Sequence, residues 1–154
     1  MITETTQIPL VTESNTIAFA ASVAAVLRPG DTILLEGPIG SGKTAFARAV
    51  IRARLGRYED VPSPTFTLVQ TYDAPDGDIW HCDLYRLTTP EEILELGLDD
   101  AFSSAICLIE WPDRLGPDAP KNALQLQFCA NQTGHSVTLT IPEIWRDRLG
   151  DIHV

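Results

Sequence analysis

The octapeptide from Gly37 to Thr44, GPIGSGKT, fits G-x-x-x-x-G-K-[ST] at every defined position. It constrains the fold through its flanks: a buried strand must deliver the chain to a tight glycine turn, and a helix must open where the turn ends. Both are legible. Thr32 to Gly37, TILLEG, is a short apolar run suited to a buried parallel strand, and a helix is predicted from about Gly42 to Leu55, with Gly56 as its stop. The glycines let successive backbone N–H groups turn inward around phosphate oxygens, and the positive end of the helix points to the same place. Gly37, Pro38, Ile39, Gly40, Ser41, Gly42, Lys43 and Thr44 are therefore candidate nucleotide-binding residues. Lys43 would reach the β and γ phosphates, and the Thr44 hydroxyl would ligate Mg2+.

The rest of the chain alternates short strands with helices. Gln7 to Val11 reads as a strand and Asn15 to Leu27 as an Ala-rich helix, with caps on offer between Thr12 and Asn15 and a stop at Pro29-Gly30. VPSPTF, from Val61 to Phe66, is a proline-braced loop. Thr67 to Tyr72 and Ile79 to Tyr85 flank APDGD, whose Asp76-Gly77 pair predicts a hairpin turn. Thr89-Pro90-Glu91-Glu92 starts a helix, ICLIE from Ile106 to Glu110 is a second buried strand, and Ala123 to Cys129 with Ser136 to Ile141 form a terminal hairpin. At 154 residues these elements predict one domain over 1–154: an α/β, P-loop NTPase-like three-layer sandwich, its mixed, mainly parallel sheet lying between helices with antiparallel hairpin additions.

A phosphate loop needs a carboxylate on a neighbouring strand to hold Mg2+ directly or through water. Glu110 ends a buried strand at its carboxyl end, where open α/β sheets bind ligands, and takes that role in place of the more usual aspartate. In IWHCDLYR, strand alternation puts Trp80, Cys82 and Leu84 on one face and His81 with Asp83 on the other. That separates His81 from Cys82 and argues against a metal site there; His135 and His153 stand isolated. Asp83 is then available to order a water or the metal's hydration shell beside Mg·ATP, the other reading of the segment being a solvated strand face. The absence of N-K-x-D favours ATP. Arg48 and Arg52, at i, i+4 spacing, read as solvated, which leaves Arg86 the better candidate for an arginine supplied in cis.

A net charge of −10 repels phosphate backbones, so any RNA role is expected to come through a partner. The odd, widely spaced Cys82, Cys107 and Cys129 make no disulfide framework and fit a reducing cytosol. The N-terminal segment lacks a basic region followed by an apolar one, and no apolar run reaches the roughly 18 residues of a membrane span. A cytoplasmic protein is expected.

GPIGSGKT, VPSPTF, HCDLYR, ELGLDD and IEWPDR occur in an order and spacing that resembles the bacterial tRNA threonylcarbamoyladenosine biosynthesis ATPase family, TsaE (formerly YjeE). The resemblance runs from roughly Thr16 to Leu115. It implies an ATPase using ATP and Mg2+ that serves a threonylcarbamoyl transferase formed by TsaD and TsaB, for N6-threonylcarbamoyladenosine at position 37 of tRNA. The chain would hydrolyse ATP slowly alone and faster with those partners, meeting tRNA only through them. It further implies that Thr65 belongs to a switch-like loop near the γ-phosphate, that Asp83 is the acid needed for turnover, and that Glu110 is the metal-side acid, with nucleotide-side Trp111 beside it. Ile39 and Ser41 stand where Leu and Ala are commoner, and Pro38 replaces a commoner polar residue. Two rival functions share the loop: a small kinase that phosphorylates a small molecule, and a module that senses ATP without turning it over.

Overall fold

The computed structural model describes residues 3–150 apart from 58, 65, 66 and 133. Thr65 and His153 therefore lie outside the described residues. The strands are β1 (Thr3–Leu10), β2 (Thr32–Glu36), β3 (Val69–Ala74), β4 (Gly77–Asp83), β5 (Ile106–Glu110), β6 (Leu124–Asn131) and β7 (Gly134–Pro142). The helices are α1 (Glu13–Ala24), α2 (Lys43–Leu55), α3 (Pro90–Leu96), α4 (Leu98–Ser104) and α5 (Glu143–Leu149).

All seven strands form one mixed sheet in the order β1-β7-β6-β2-β5-β4-β3. The four inner strands, β6, β2, β5 and β4, run parallel, while β3 and the pair β7 and β1 add antiparallel edges. β5 is buried along its whole length and β2 on all but its last residue, the signature of strands covered on both faces. On one face α1 and α2 pack over Ile33, Leu35, Leu108 and Leu126; on the other α3 and α4 cover Leu34, Cys82, Cys107 and Ile109. Alternation along each strand divides the apolar residues between these two cores.

α2 is the helix that matters for the site. Its fully buried Phe46 lies between Phe19 of α1 and Phe128 of β6, with ring centroids 5.3 and 5.7 Å away. Removing such a ring costs about 3–5 kcal/mol, so the N-terminus of α2 has a fixed place above the sheet. α1 is held by a capping box in which Asn15 N–H donates to Thr12 Oγ1 and the Asn15 side chain accepts from Thr12 N–H.

Two expectations need correction, the hairpin turn and the solvated arginines, and two further stretches take shape only in the structure. The β3–β4 turn is Pro75-Asp76, because Ala74 pairs with Gly77; the glycine, at φ 132°, ends the turn by starting β4. The acidic ELGLDD stretch ends one short helix, α3, and starts another, α4, with the break where Gly97 takes φ 80°. Arg48 and Arg52 are tethers, not solvated side chains: Arg48 Nε donates to the Val61 carbonyl at 2.7 Å and Arg52 Nε to that of Glu59 at 3.0 Å. The spacing showed only that they share a helix face. The C-terminal WRDRLG stretch forms α5, docked by an Arg148–Asp31 ion pair at 2.7 Å and by Trp145, buried under the Arg148 guanidinium.

Candidate active site at the carboxyl ends of the inner strands

The phosphate loop crosses the carboxyl end of β2, and its shape depends on where side chains are missing. Gly37 has φ 141°, and a Cβ there would fall 2.6 Å from the Phe128 carbonyl oxygen and 2.7 Å from Ser41 Oγ. Gly40 and Gly42 are also at positive φ, 82° and 109°. Gly42 caps α2, whose first-turn N–H groups and dipole face the cleft.

The cleft has a volume of about 590 Å3 and is lined by Pro38, Ile39, Gly40, Gly42, Lys43, Thr44, Ala45, Asp83, Tyr85, Glu110, Trp111 and His135. It thus gathers most of the candidate residues from the sequence; Gly37 and Ser41 are not part of its lining. Ser41 is buried beneath the loop, its hydroxyl without a hydrogen-bond partner. Arg86 lies exposed in the turn after β4 and does not line the cleft.

Lys43 is folded back onto its own loop. Its ammonium donates to the Gly37 carbonyl and, at 3.4 Å, to that of Pro38, and lies 4.0 Å from the centroid of the Trp111 ring. Burial pushes its pKa below the ordinary lysine value, and the carboxylates of Glu110 and Asp83 oppose that shift. The loop carbonyls thus accept the hydrogen bonds of an ammonium that also faces two carboxylates.

The two acids sit in register on adjacent parallel strands, Asp83 opposite Glu110. Thr44 Oγ1 donates to Glu110 Oε1 at 2.9 Å, and His81 Nε2 lies 2.7 Å from Glu110 Oε2. His81 and Asp83 are both buried, at 0% and 7% exposure, which removes the solvated-face reading of this strand. Asp83 Oδ1 accepts from Tyr85 N–H at 3.0 Å, and Asp83 N–H donates to the Leu68 carbonyl at 2.9 Å. Leu68 N–H in turn donates to Pro64 at 2.7 Å, so the proline-braced loop is tied to the strand of Asp83 at one end and to α2 through Arg48 at the other.

Among the described residues no group of three or more His, Cys, Asp or Glu could hold a metal ion. The donors present, one hydroxyl and one carboxylate at the phosphate loop, are the small oxygen set from which Mg2+ completes its shell with phosphates and water. They fit that ion.

Three cleft residues were missed as site residues from sequence: Ala45, next to Thr44 in the first turn of α2, Tyr85 and His135. Tyr85 stacks on Trp111 with centroids 4.8 Å apart. His135, isolated in the sequence, reaches the loop from the start of β7, where Nε2–H donates to the Gly40 carbonyl at 3.2 Å. Only the sheet order brings it there.

A family model described as threonylcarbamoyl adenosine biosynthesis protein TsaE matches residues 10–137. The chain is 50% identical over 101 residues to the tRNA threonylcarbamoyladenosine biosynthesis protein TsaE of Rickettsia bellii, covering 66% of this chain and 70% of that one. It is 37% identical over 117 residues to the protein of that name from Bacillus subtilis, covering 75% and 72%. The crystal structure of Bacillus subtilis YdiB superposes with a TM-score of 0.78 at 28% identity, covering 97% of this chain and 93% of that one. No described helix is long and apolar enough to cross a membrane.

Proposed function

The chain belongs to the TsaE family, and from that premise we propose that it is a cytoplasmic, Mg2+-dependent ATPase acting in tRNA threonylcarbamoyladenosine formation, as an accessory subunit of a TsaD–TsaB transferase. The observation that carries the reading is the contact of Thr44 with Glu110 at 2.9 Å, in register with Asp83, at the mouth of the phosphate loop.

The loop amides and Lys43 bind the phosphates, and Lys43 exchanges the carbonyls of Gly37 and Pro38 for phosphate oxygens. Thr44 and Glu110 would hold Mg2+, with His81 fixing the orientation of the Glu110 carboxylate. The ion, once bound, neutralises phosphate charge. Asp83, buried and anchored by Tyr85 N–H, orders the attacking water and accepts its proton. Trp111 closes the nucleotide side over Lys43. Thr65 would respond to loss of the γ-phosphate, as the family resemblance implies; Val61 is tied to α2, and Pro64 through Leu68 to β4, where a partner can read a change in this segment.

The test is steady-state phosphate release from ATP and Mg2+, with the protein alone, with TsaD–TsaB, and with small-molecule acceptors. A slow basal rate raised by the partner complex is expected. A rate indifferent to TsaD–TsaB, with phosphate appearing on an acceptor, would establish the kinase instead; binding with no turnover under any condition would establish an ATP sensor.

A further inference from the structure

We propose that Leu68 is a positioning residue for Asp83: held in a left-handed backbone conformation, it aims its carbonyl at the Asp83 N–H and so sets where that acid stands. The inference rests on the reading of Asp83 as the group that orders the attacking water, and it names what holds that group in place.

Backbone conformation singles Leu68 out. Among the described residues, Leu68 and Trp111 are the non-glycine residues at positive φ, 69° and 59°. In that region Cβ crowds the following carbonyl oxygen, so a bulky side chain stays there only where its surroundings impose it. Each of the two adjoins one acid of the cleft: Trp111 follows Glu110 in the chain, and Leu68 is bonded to the main chain of Asp83.

The hydrogen bonds show what the conformation does. Regular pairing of β3 with β4 ends at Val69 opposite Cys82, so the next residue of each strand brings Leu68 opposite Asp83. An extended residue there would exchange both of its main-chain bonds with its antiparallel neighbour. Leu68 makes one of them, accepting from Asp83 N–H at 2.9 Å, and turns its own N–H away to the carbonyl of the buried Pro64 at 2.7 Å. A left-handed residue can split the two bonds in this way. On its other side Asp83 is in register with Glu110 of β5, and its Oδ1 accepts from Tyr85 N–H at 3.0 Å. The backbone of the acid is thus clamped between β5 and a single peptide group, and that group also ends the proline-braced loop. The rival reading is packing, because the half-buried Leu68 side chain rests on the core beneath α3 and α4.

Two substitutions of the full chain separate the readings. Leu68→Ile keeps the apolar bulk but branches at Cβ, which makes the left-handed region still less accessible, whereas Leu68→Gly removes the side chain and opens that region freely. With ATP and Mg2+, Leu68→Ile is expected to lower kcat about tenfold with KM within about twofold, a smaller loss than the roughly hundredfold that a misplacement of about 1 Å can bring. Exchange of the Asp83 amide hydrogen, followed by NMR, should quicken in the same variant. Leu68→Gly is expected to keep kcat within about twofold and the amide protected, although lost packing lowers its urea midpoint. The opposite order, slow turnover in Leu68→Gly and normal turnover in Leu68→Ile, overturns the proposal and makes Leu68 a packing residue. Normal turnover in both overturns it as well. Absence of hydrolysis by the unsubstituted protein overturns the reading of Asp83 itself, and the proposal with it.

Discussion

His81 Nε2 lies 2.7 Å from Glu110 Oε2, with the two side chains 0% and 3% exposed. The Glu110 carboxylate is therefore gripped from two sides, by His81 from β4 and by Thr44 from α2. Since a carboxylate only accepts, Nε2 carries the proton, and the buried Nδ1 stands without a partner. Replacing His81 with Phe should cost about 1–2 kcal/mol, less than a full buried hydrogen bond because it also removes the unpartnered nitrogen. The half-saturating Mg2+ concentration for ATP hydrolysis should rise several-fold, with a smaller fall in kcat at saturation. Urea melts and Mg2+ titrations check both; an unchanged Mg2+ requirement would reduce His81 to packing.

Gly37 and Gly40 both stand at positive φ, yet only Gly37 has a wall against it, the Phe128 carbonyl 2.6 Å from an added Cβ. Backbone cannot swing aside, so Gly37→Ala should destabilise by on the order of 3 kcal/mol, from clash plus strain. Gly40, with nothing within 4 Å of the added carbon, should lose about 1 kcal/mol from conformation alone. Denaturant unfolding of the two variants provides the comparison, and equal losses would show the Phe128 contact to be yielding.

How far the site could be read from sequence differs from residue to residue. The phosphate loop was legible because its glycines, its lysine and the flanking strand and helix are all local in the chain. The pairing of Asp83 with Glu110 was partly legible: strand alternation gave the face, and an acid at a strand's carboxyl end gave the place. Depth of burial was not, since His81 looks polar until β5 lies beside it and brings Glu110 within 2.7 Å. Sheet order was invisible too. β6 joins the sheet next to β2, and only this puts His135 at a loop far away in sequence. Helical spacing likewise could not tell that Arg48 and Arg52 find carbonyl oxygens of the following loop.

Lys43 lies 4.0 Å from the Trp111 ring centroid in the folded-back arrangement. A cation that close perturbs indole emission, and binding of Mg·ATP should draw the amine toward phosphate oxygens. Tryptophan fluorescence should therefore change saturably with nucleotide. Trp111→Phe should abolish that change although Trp80 and Trp145 remain; persistence of the signal in that variant would show that the amine stays put.

Burial pushes the Cys107 thiol up to about 12 and that of Cys82 well above its ordinary value, whereas Cys129 is exposed. The thiolate is the reactive form, so at pH 8 a chromogenic disulfide reagent should modify one thiol rapidly and the other two only after unfolding. The pH dependence has a definite sign. An unfolded thiol ionises near 9 while folded Cys107 keeps its proton to about 12, so the unfolded chain binds fewer protons in that window and stability falls as pH rises through it. Three rapidly reacting thiols in the folded protein would contradict the burial.

Binding and turnover should separate at Asp83 and Lys43. Asp83 Oδ1 accepts from Tyr85 N–H at 3.0 Å, and an asparagine carbonyl can make the same bond. Asp83→Asn should therefore keep the turn after β4 and hold nucleotide within about threefold of the original affinity, while hydrolysis falls about 100-fold or more for want of a base. Lys43→Ala acts differently: it removes the cation that faces both Asp83 and Glu110, leaving two carboxylates against the incoming phosphates. Nucleotide affinity should then drop by at least tenfold, and hydrolysis with it. Equilibrium titration with a fluorescent ATP analogue beside single-turnover hydrolysis distinguishes the two patterns. Near-normal turnover in Asp83→Asn would make that acid a structural anchor for Tyr85 and transfer the ordering of water to another group in the cleft.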